Sequence, residues 1–270
     1  MVQGDTVKEK EAGSFMVSPI WVSRILLALA SSVAFAQVPT GLRPAAPVAS
    51  EPRPDITPEL RGDIMVARKM YREAIDFYKT GADKNHILAN KTGIAYHQLQ
   101  DMDNAKRWYQ KAIKLRRDYP EALNNLGTIY YAQRSFKRAI DQYRKALRLT
   151  PNSASVLSNL GTAYFARKKY DEAQEYYQQA LAIDPNVFES RSSQGSVVQS
   201  RSIEEKAKFD YYLAKTYCKR GDLERALQYV RRSLEEGFKE KKKFTDEPEF
   251  AALQENLEFK RLIATEQNVL

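Results

Sequence analysis

The stretch NNLGTIYYAQRSFKRAIDQYRKAL, residues 124–147, returns 34 residues later as SNLGTAYFARKKYDEAQEYYQQAL, residues 158–181. Ten of the 24 aligned positions are identical, and small residues repeat as faithfully as large ones: Gly127 with Gly161, Ala139 with Ala173, Tyr143 with Tyr177. No other feature constrains the fold as much. A chain that repeats itself at this period stacks copies of one supersecondary unit and buries a continuous core between neighbours.

With Gly127 at position 8 of a 34-residue unit, four further units fall into register. Position 8 is then Gly62, Gly93, Gly127, Gly161 and Ala214, and position 20 is alanine throughout, at 74, 105, 139, 173 and 226. Position 24 is Tyr78, Tyr109, Tyr143, Tyr177 and Val230, and position 11 is Met65, Tyr96, Tyr130, Tyr164 and Tyr217. Positions 4, 7, 8 and 11 share one face of a first helix, and positions 17, 20, 24 and 27 share one face of a second. Small residues at 8 and 20 let the two backbones approach, and the aromatic at 24 fills the space beyond. Pro151 and Pro185 end the second helix of their units, because proline cannot continue the hydrogen-bond ladder.

This pattern resembles the tetratricopeptide repeat (TPR) family, in an exported bacterial type. The resemblance implies an all-α fold: a solenoid of five helix-turn-helix repeats in a right-handed superhelix, with a short C-terminal helical cap. The repeats are expected over 55–85, 86–119, 120–153, 154–187 and 207–240, with a Ser-rich insert at 188–206 and the cap at 241–270. "SIEE" at Ser202–Glu205 is a capping box that starts a helix. In the cap, Phe250 with Leu253 and Phe259 with Leu262 make apolar stripes on two short helices that cover the last repeat.

The N-terminus reads as an address. Arg24 precedes an apolar run, residues 25–35, that ends in the small-x-small site Ala34-Phe35-Ala36. The run is too short to span a bilayer, which takes about 20 apolar residues. Residues 1–36 are therefore expected to be a signal peptide, cleaved or kept as an anchor, with Met16 as the alternative start. Residues 37–54 carry five prolines and read as an extended tether. The expected location is periplasmic or secreted, in the cell envelope.

Composition narrows the chemistry. One cysteine, Cys218, excludes an internal disulfide and a cysteine-rich metal site. The two histidines, His86 and His97, stand in no metal-ligand motif, and no phosphate loop or nucleophile elbow is present. Asn90-Lys91-Thr92 matches a glycosylation sequon but falls inside an expected helix. No enzymatic activity, cofactor or metal is expected. The net charge of +9 favours anionic surfaces, so a basic outer face (Lys106, Arg107, Lys111, Arg138, Arg144, Lys145, Arg148) holding an envelope polymer or membrane is the alternative reading. Nucleic acid is not expected.

In the family, first helices line a peptide-binding groove. By resemblance the middle three repeats present Asn90, Lys91, Ile94 and His97; Asn124, Asn125, Thr128 and Tyr131; and Ser158, Asn159, Thr162 and Phe165. The asparagines are expected to bond a peptide backbone and the aromatics to anchor an apolar side chain. Alternatively, these aromatics simply pack between neighbouring helices. The basic pairs that clamp a C-terminal carboxylate in some family members are missing, with Ile94 and Ser155 at two of those positions. The expected partner is a protein or peptide. N-terminal sequencing of the protein from its native cells should begin at Gln37; cytosolic material beginning at Met1 or Met16 contradicts export.

Overall fold

The computed structural model describes residues 56–189 and 202–265. The expected signal segment, the tether, residues 190–201 of the insert and residues 266–270 lie outside the described residues. Within the compact unit Pro54–Leu270, five helix pairs follow one another. They are α1 (Pro58–Ala67) with α2 (Tyr71–Lys79), α3 (His86–Gln98) with α4 (Met102–Leu115), and α5 (Pro120–Ala132) with α6 (Phe136–Leu149). Then come α7 (Ala154–Ala166) with α8 (Tyr170–Ile183), and α9 (Ile203–Arg220) with α10 (Leu223–Glu235). No strand occurs among the described residues.

The helix starts are written locally. Pro58 and Pro120 stand in the first turn, where a missing N–H costs nothing. Asn85, Asp101 and Asp222 accept backbone N–H bonds at their helix starts, and Ser202 with Glu205 forms the full capping box. Helices α6 and α8 stop two residues before Pro151 and Pro185. Within each pair, the turn passes through one left-handed residue: Lys69, Gln100, Arg134, Lys168 and Gly221, at φ between 56° and 81°. Only the last of these is glycine, the residue that adopts this conformation without strain.

Inside each pair, the position-24 tyrosine is seated directly on the position-8 glycine. A Cβ added to Gly93, Gly127 or Gly161 would come within 2.5–2.6 Å of the ring of Tyr109, Tyr143 or Tyr177, a separation real side chains do not tolerate. Backbones also approach there: the same Cβ on Gly161 would lie 3.0 Å from the Ala173 carbonyl. The glycine thus makes room first for the ring, and only second for the neighbouring helix. The fifth pair shows the converse. Val230 replaces the tyrosine and Ala214 replaces the glycine, both fully buried. A smaller partner leaves space for one methyl.

The C-terminal segment covers the fifth pair with α11 (Lys243–Asp246), a 3-10 helix (Pro248–Leu253) and α12 (Leu257–Thr265). Phe244, Phe250, Leu253 and Phe259 are all at most 1% exposed, and Phe238 stacks on Tyr211 at 4.5 Å. The first of the two expected short helices is a 3-10 turn rather than an α-helix, opening on Pro248.

Gly127→Ala should destabilise the chain by about 1–3 kcal/mol through overpacking. Tyr143→Val should also destabilise, but the double variant should be more stable than the sum of the two losses implies, by about 1 kcal/mol or more. Urea unfolding of the four proteins checks this; strict additivity contradicts the contact.

Candidate functional site

The asparagines of the expected groove turn to one another. Asn125 Nδ2 donates to Asn90 Oδ1 at 3.1 Å, and Asn159 Nδ2 donates to Asn124 Oδ1 at 3.0 Å. In unit numbering both are one contact, from position 6 of a unit to position 5 of the unit before it. The first interface obeys the same rule with charges: Lys91 Nζ, at position 6, reaches Glu59 Oε1, at position 5, at 2.7 Å. Lys91 also holds Asp63, whose carboxylate accepts from the Tyr78 hydroxyl at 2.7 Å. Asn90, Asn124 and Asn159 are each no more than 8% exposed, so the ladder sits between helices rather than open to solvent.

The threonines serve the pairs. The Tyr143 hydroxyl lies 3.4 Å from Thr128 Oγ1 and the Tyr177 hydroxyl 3.4 Å from Thr162 Oγ1, while Thr128 bonds its own helix at Asn124. Ser158 bonds the Ser155 carbonyl of its own helix. His97 is partly buried, and burial lowers its pKa, favouring neutral imidazole. Cys218 is buried and its thiol is pushed up to about 12, chiefly by burial, so it holds its proton at physiological pH. No cluster of metal-ligating side chains occurs among the described residues.

Six of the eleven expected site residues line two clefts that share no lining residue, while His97, Thr128, Ser158, Asn159 and Thr162 line neither. One, of about 500 Å³, lies at the N-terminal ends of α3, α5 and α7. Asn90, Ile94, Asn124 and Asn125 line it together with Ser155 and Pro120. The other, of about 670 Å³, lies at the C-terminal ends of α5 and α7 beside the start of α9. Tyr131 and Phe165 line this second cleft, with Phe136, Tyr170, Arg134 and Lys168. Tyr131 and Phe165 are 5% exposed, deeper than partly buried groove anchors, because each packs on the first residue of the next helix. Tyr131 meets Phe136 at 5.2 Å and Phe165 meets Tyr170 at 5.2 Å. The sequence reading missed Phe136 and Tyr170 as lining residues. The signal was there, since position 17 is large and apolar in all five units.

The cleft is closed on one side by an interface unlike the others. Unit five carries Tyr211 and Tyr212 at positions 5 and 6, so the amide ladder stops. Rings take over: Tyr212 stacks on Tyr170 at 4.7 Å, and Phe209 meets Phe165 at 5.6 Å and Tyr177 at 5.7 Å. Lys208 places its ammonium over the Tyr170 ring at 4.5 Å, a cation–π contact on the cleft wall.

Residues 121–186 match a family model described as tetratricopeptide repeat, and residues 93–134 match one described as TPR repeat. Over residues 93–186 the chain is similar to tetratricopeptide repeats, and its fold is a TPR-like solenoid of five helix-turn-helix repeats with a C-terminal cap. Among solved structures it is similar to a MamA structure at 23% identity, over 68% of this chain and 96% of that one, with TM-score 0.46. MamA from Desulfovibrio magneticus RS-1 (41-end) is 20% identical over 64% and 89%, with TM-score 0.46. BtubC (BKLC) from P. vanneervenii is 23% identical over 66% and 78%, with TM-score 0.46. No curated protein matches the chain.

Asn124→Ala removes the acceptor of a buried amide, and should cost about 1–3 kcal/mol. Ser158→Ala, at the equivalent position where the ladder has ended, should cost less than about 0.5 kcal/mol. Thermal or urea unfolding separates the two; equal effects contradict a ladder between units.

Proposed function

We propose that this chain is an exported scaffold that holds an extended segment of a partner protein in the cleft floored by Tyr131, Phe136, Phe165 and Tyr170, and that it performs no catalysis. The observation that carries the reading is the pairing of equivalent aromatics from adjacent repeats in one cleft of about 670 Å³. Such a floor accepts apolar side chains spaced along an extended peptide. Arg134 and Lys168 stand exposed at its rim, each in the left-handed turn conformation where glycine would be unstrained. Aromatic and arginine side chains are the usual carriers of binding energy in such sites. The asparagines near the other cleft contribute less to a ligand, because their amides already bond one another. Export rests on the sequence alone, on the run ending at Ala36. No described helix is long and apolar enough to cross a membrane.

The alternative is a basic outer face that holds an anionic envelope polymer or membrane. Exposed Arg107, Arg138, Arg144, Lys145 and Arg148 favour it. Several of the basic set are also engaged: Lys106 and Arg138 lie over the Tyr130 ring, Arg144 donates to the Tyr164 hydroxyl, and Lys111 pairs with Asp83. Salt separates the readings, since contacts between exposed charges are screened beyond about 8 Å at physiological ionic strength.

With a partner isolated from envelope extract on the mature chain, Tyr131→Ala and Phe165→Ala should each weaken binding by at least ~1 kcal/mol. Both side chains are buried, so each variant should also lose some stability. Lys168→Glu and Arg134→Glu, on the exposed rim, should weaken binding without that loss. Calorimetric titration measures this; binding unchanged in all four variants, but abolished by Arg107→Glu with Arg138→Glu, favours the outer-face reading instead.

A further inference from the structure

Position 23 of the repeat, on the outer side of each second helix, carries an aromatic ring in four units: Phe77, Trp108, Tyr176 and Tyr229. In the third unit it is Gln142. The rings at this position cover neighbouring side chains. Trp108 packs against a cluster that includes Ala82, Leu88 and Ala89. Tyr176 stacks on Tyr164 at 5.4 Å, and Tyr229 stacks on Tyr217 at 5.2 Å. Where the ring is missing, a groove of about 490 Å³ opens between α4 and α6 above α5. Its floor is Ile113, Leu123 and Leu126, with Gln142 in the wall. Ile113 and Leu123 stand one unit after Ala82 and Ala89, members of the cluster that Trp108 packs against.

The rim of this groove is cationic. Arg117, Lys145 and Arg148 line it, all exposed, and none makes an ion pair with another described residue. The one acid on the rim, Asp118, pairs with Arg116 at 3.3 Å. In the next groove along, the corresponding positions are Pro151, Gln179 and Ala182. A missing ring and a cationic rim therefore coincide at one place in the solenoid.

We propose that the groove is a second docking site, for a short acidic segment of a partner protein. The segment inserts one aromatic or large aliphatic side chain over Ile113, Leu123 and Leu126, where a ring would otherwise stand. Its flanking carboxylates meet Arg117, Lys145 and Arg148. Charge complementarity selects the acidic sequence, and the recessed floor selects a side chain over a flat lipid surface. The site shares no residue with the cleft at Tyr131 and Phe165, so it stands or falls independently of that cleft.

The test uses the full chain and a fluorescently labelled peptide with one tryptophan between two glutamates on each side. Saturable binding by anisotropy is expected. It should weaken about tenfold or more in Gln142→Trp, which fills the groove as Trp108 does, and in the peptide with alanine for tryptophan. Arg148→Glu and Lys145→Glu should each weaken it about threefold or more, while Glu175→Gln, at an exposed position outside the groove, leaves it unchanged. The unfolding midpoint of Gln142→Trp should equal or exceed that of the parent, showing that lost binding is not lost fold. No saturable binding by the parent, or equal binding by Gln142→Trp, overturns the proposal. So does binding to vesicles of anionic phospholipid that is strong and indifferent to Gln142→Trp while the peptide does not bind.

Discussion

A tyrosine ring seated on a glycine closes each of the first four helix pairs, and much of the solenoid's geometry depends on it. The ring stands where a Cβ would be, so the distance between the two helices is fixed by the ring rather than by a generic apolar seam. All four of these tyrosines, Tyr78, Tyr109, Tyr143 and Tyr177, are at most 2% exposed, and three of them have a hydroxyl partner at position 9 of the facing helix. A buried hydroxyl without a partner is costly, so the pair holds its own polar accounts closed. The fifth pair reaches the same packing with Ala214 and Val230, which shows that the constraint is on the sum of two side chains and not on glycine itself.

Between pairs a different device operates. A donor at position 6 reaches an acceptor at position 5 of the unit before it, as Lys91 to Glu59, Asn125 to Asn90 and Asn159 to Asn124. Apolar packing alone is non-directional. A directional bond at each step specifies how one pair is turned on the next. At the fourth interface the bond is replaced by stacked rings, Tyr170 on Tyr212 and Phe165 on Phe209, and there the larger aromatic cleft opens. The change of joint and the cleft occur together, next to the start of α9.

The repeat, the helix pairs and the capping box at Ser202 were legible in the sequence because each is local or periodic. Gly127 and Ala139 announced themselves by returning 34 residues later. The role of Asn125 and Asn159 was not legible. Whether an amide faces a ligand or a neighbouring unit depends on the rotation between units, and one unit's sequence does not contain it. The same reason hid the separation of the asparagines from Tyr131 and Phe165 into two clefts. Phe136 and Tyr170 were recoverable from the apolar column at position 17. Gln142 was recoverable too, as the one break in an aromatic column, but its meaning needed the groove that the missing ring leaves.

The glycine–tyrosine pairs and the ladder between units are committed to the fold. In the proposed function, Arg134, Lys168 and the aromatic floor between them are offered to a partner. Photocrosslinking in the native cells tests that claim most directly, with a photoreactive phenylalanine analogue placed at the exposed rim position 134 of the full chain. The account predicts a covalent adduct with one partner polypeptide, lost when Tyr131 and Phe165 are both alanine and absent when the analogue is placed at exposed position 175. An adduct that survives the double alanine variant, or one that forms at 175 and not at 134, contradicts it.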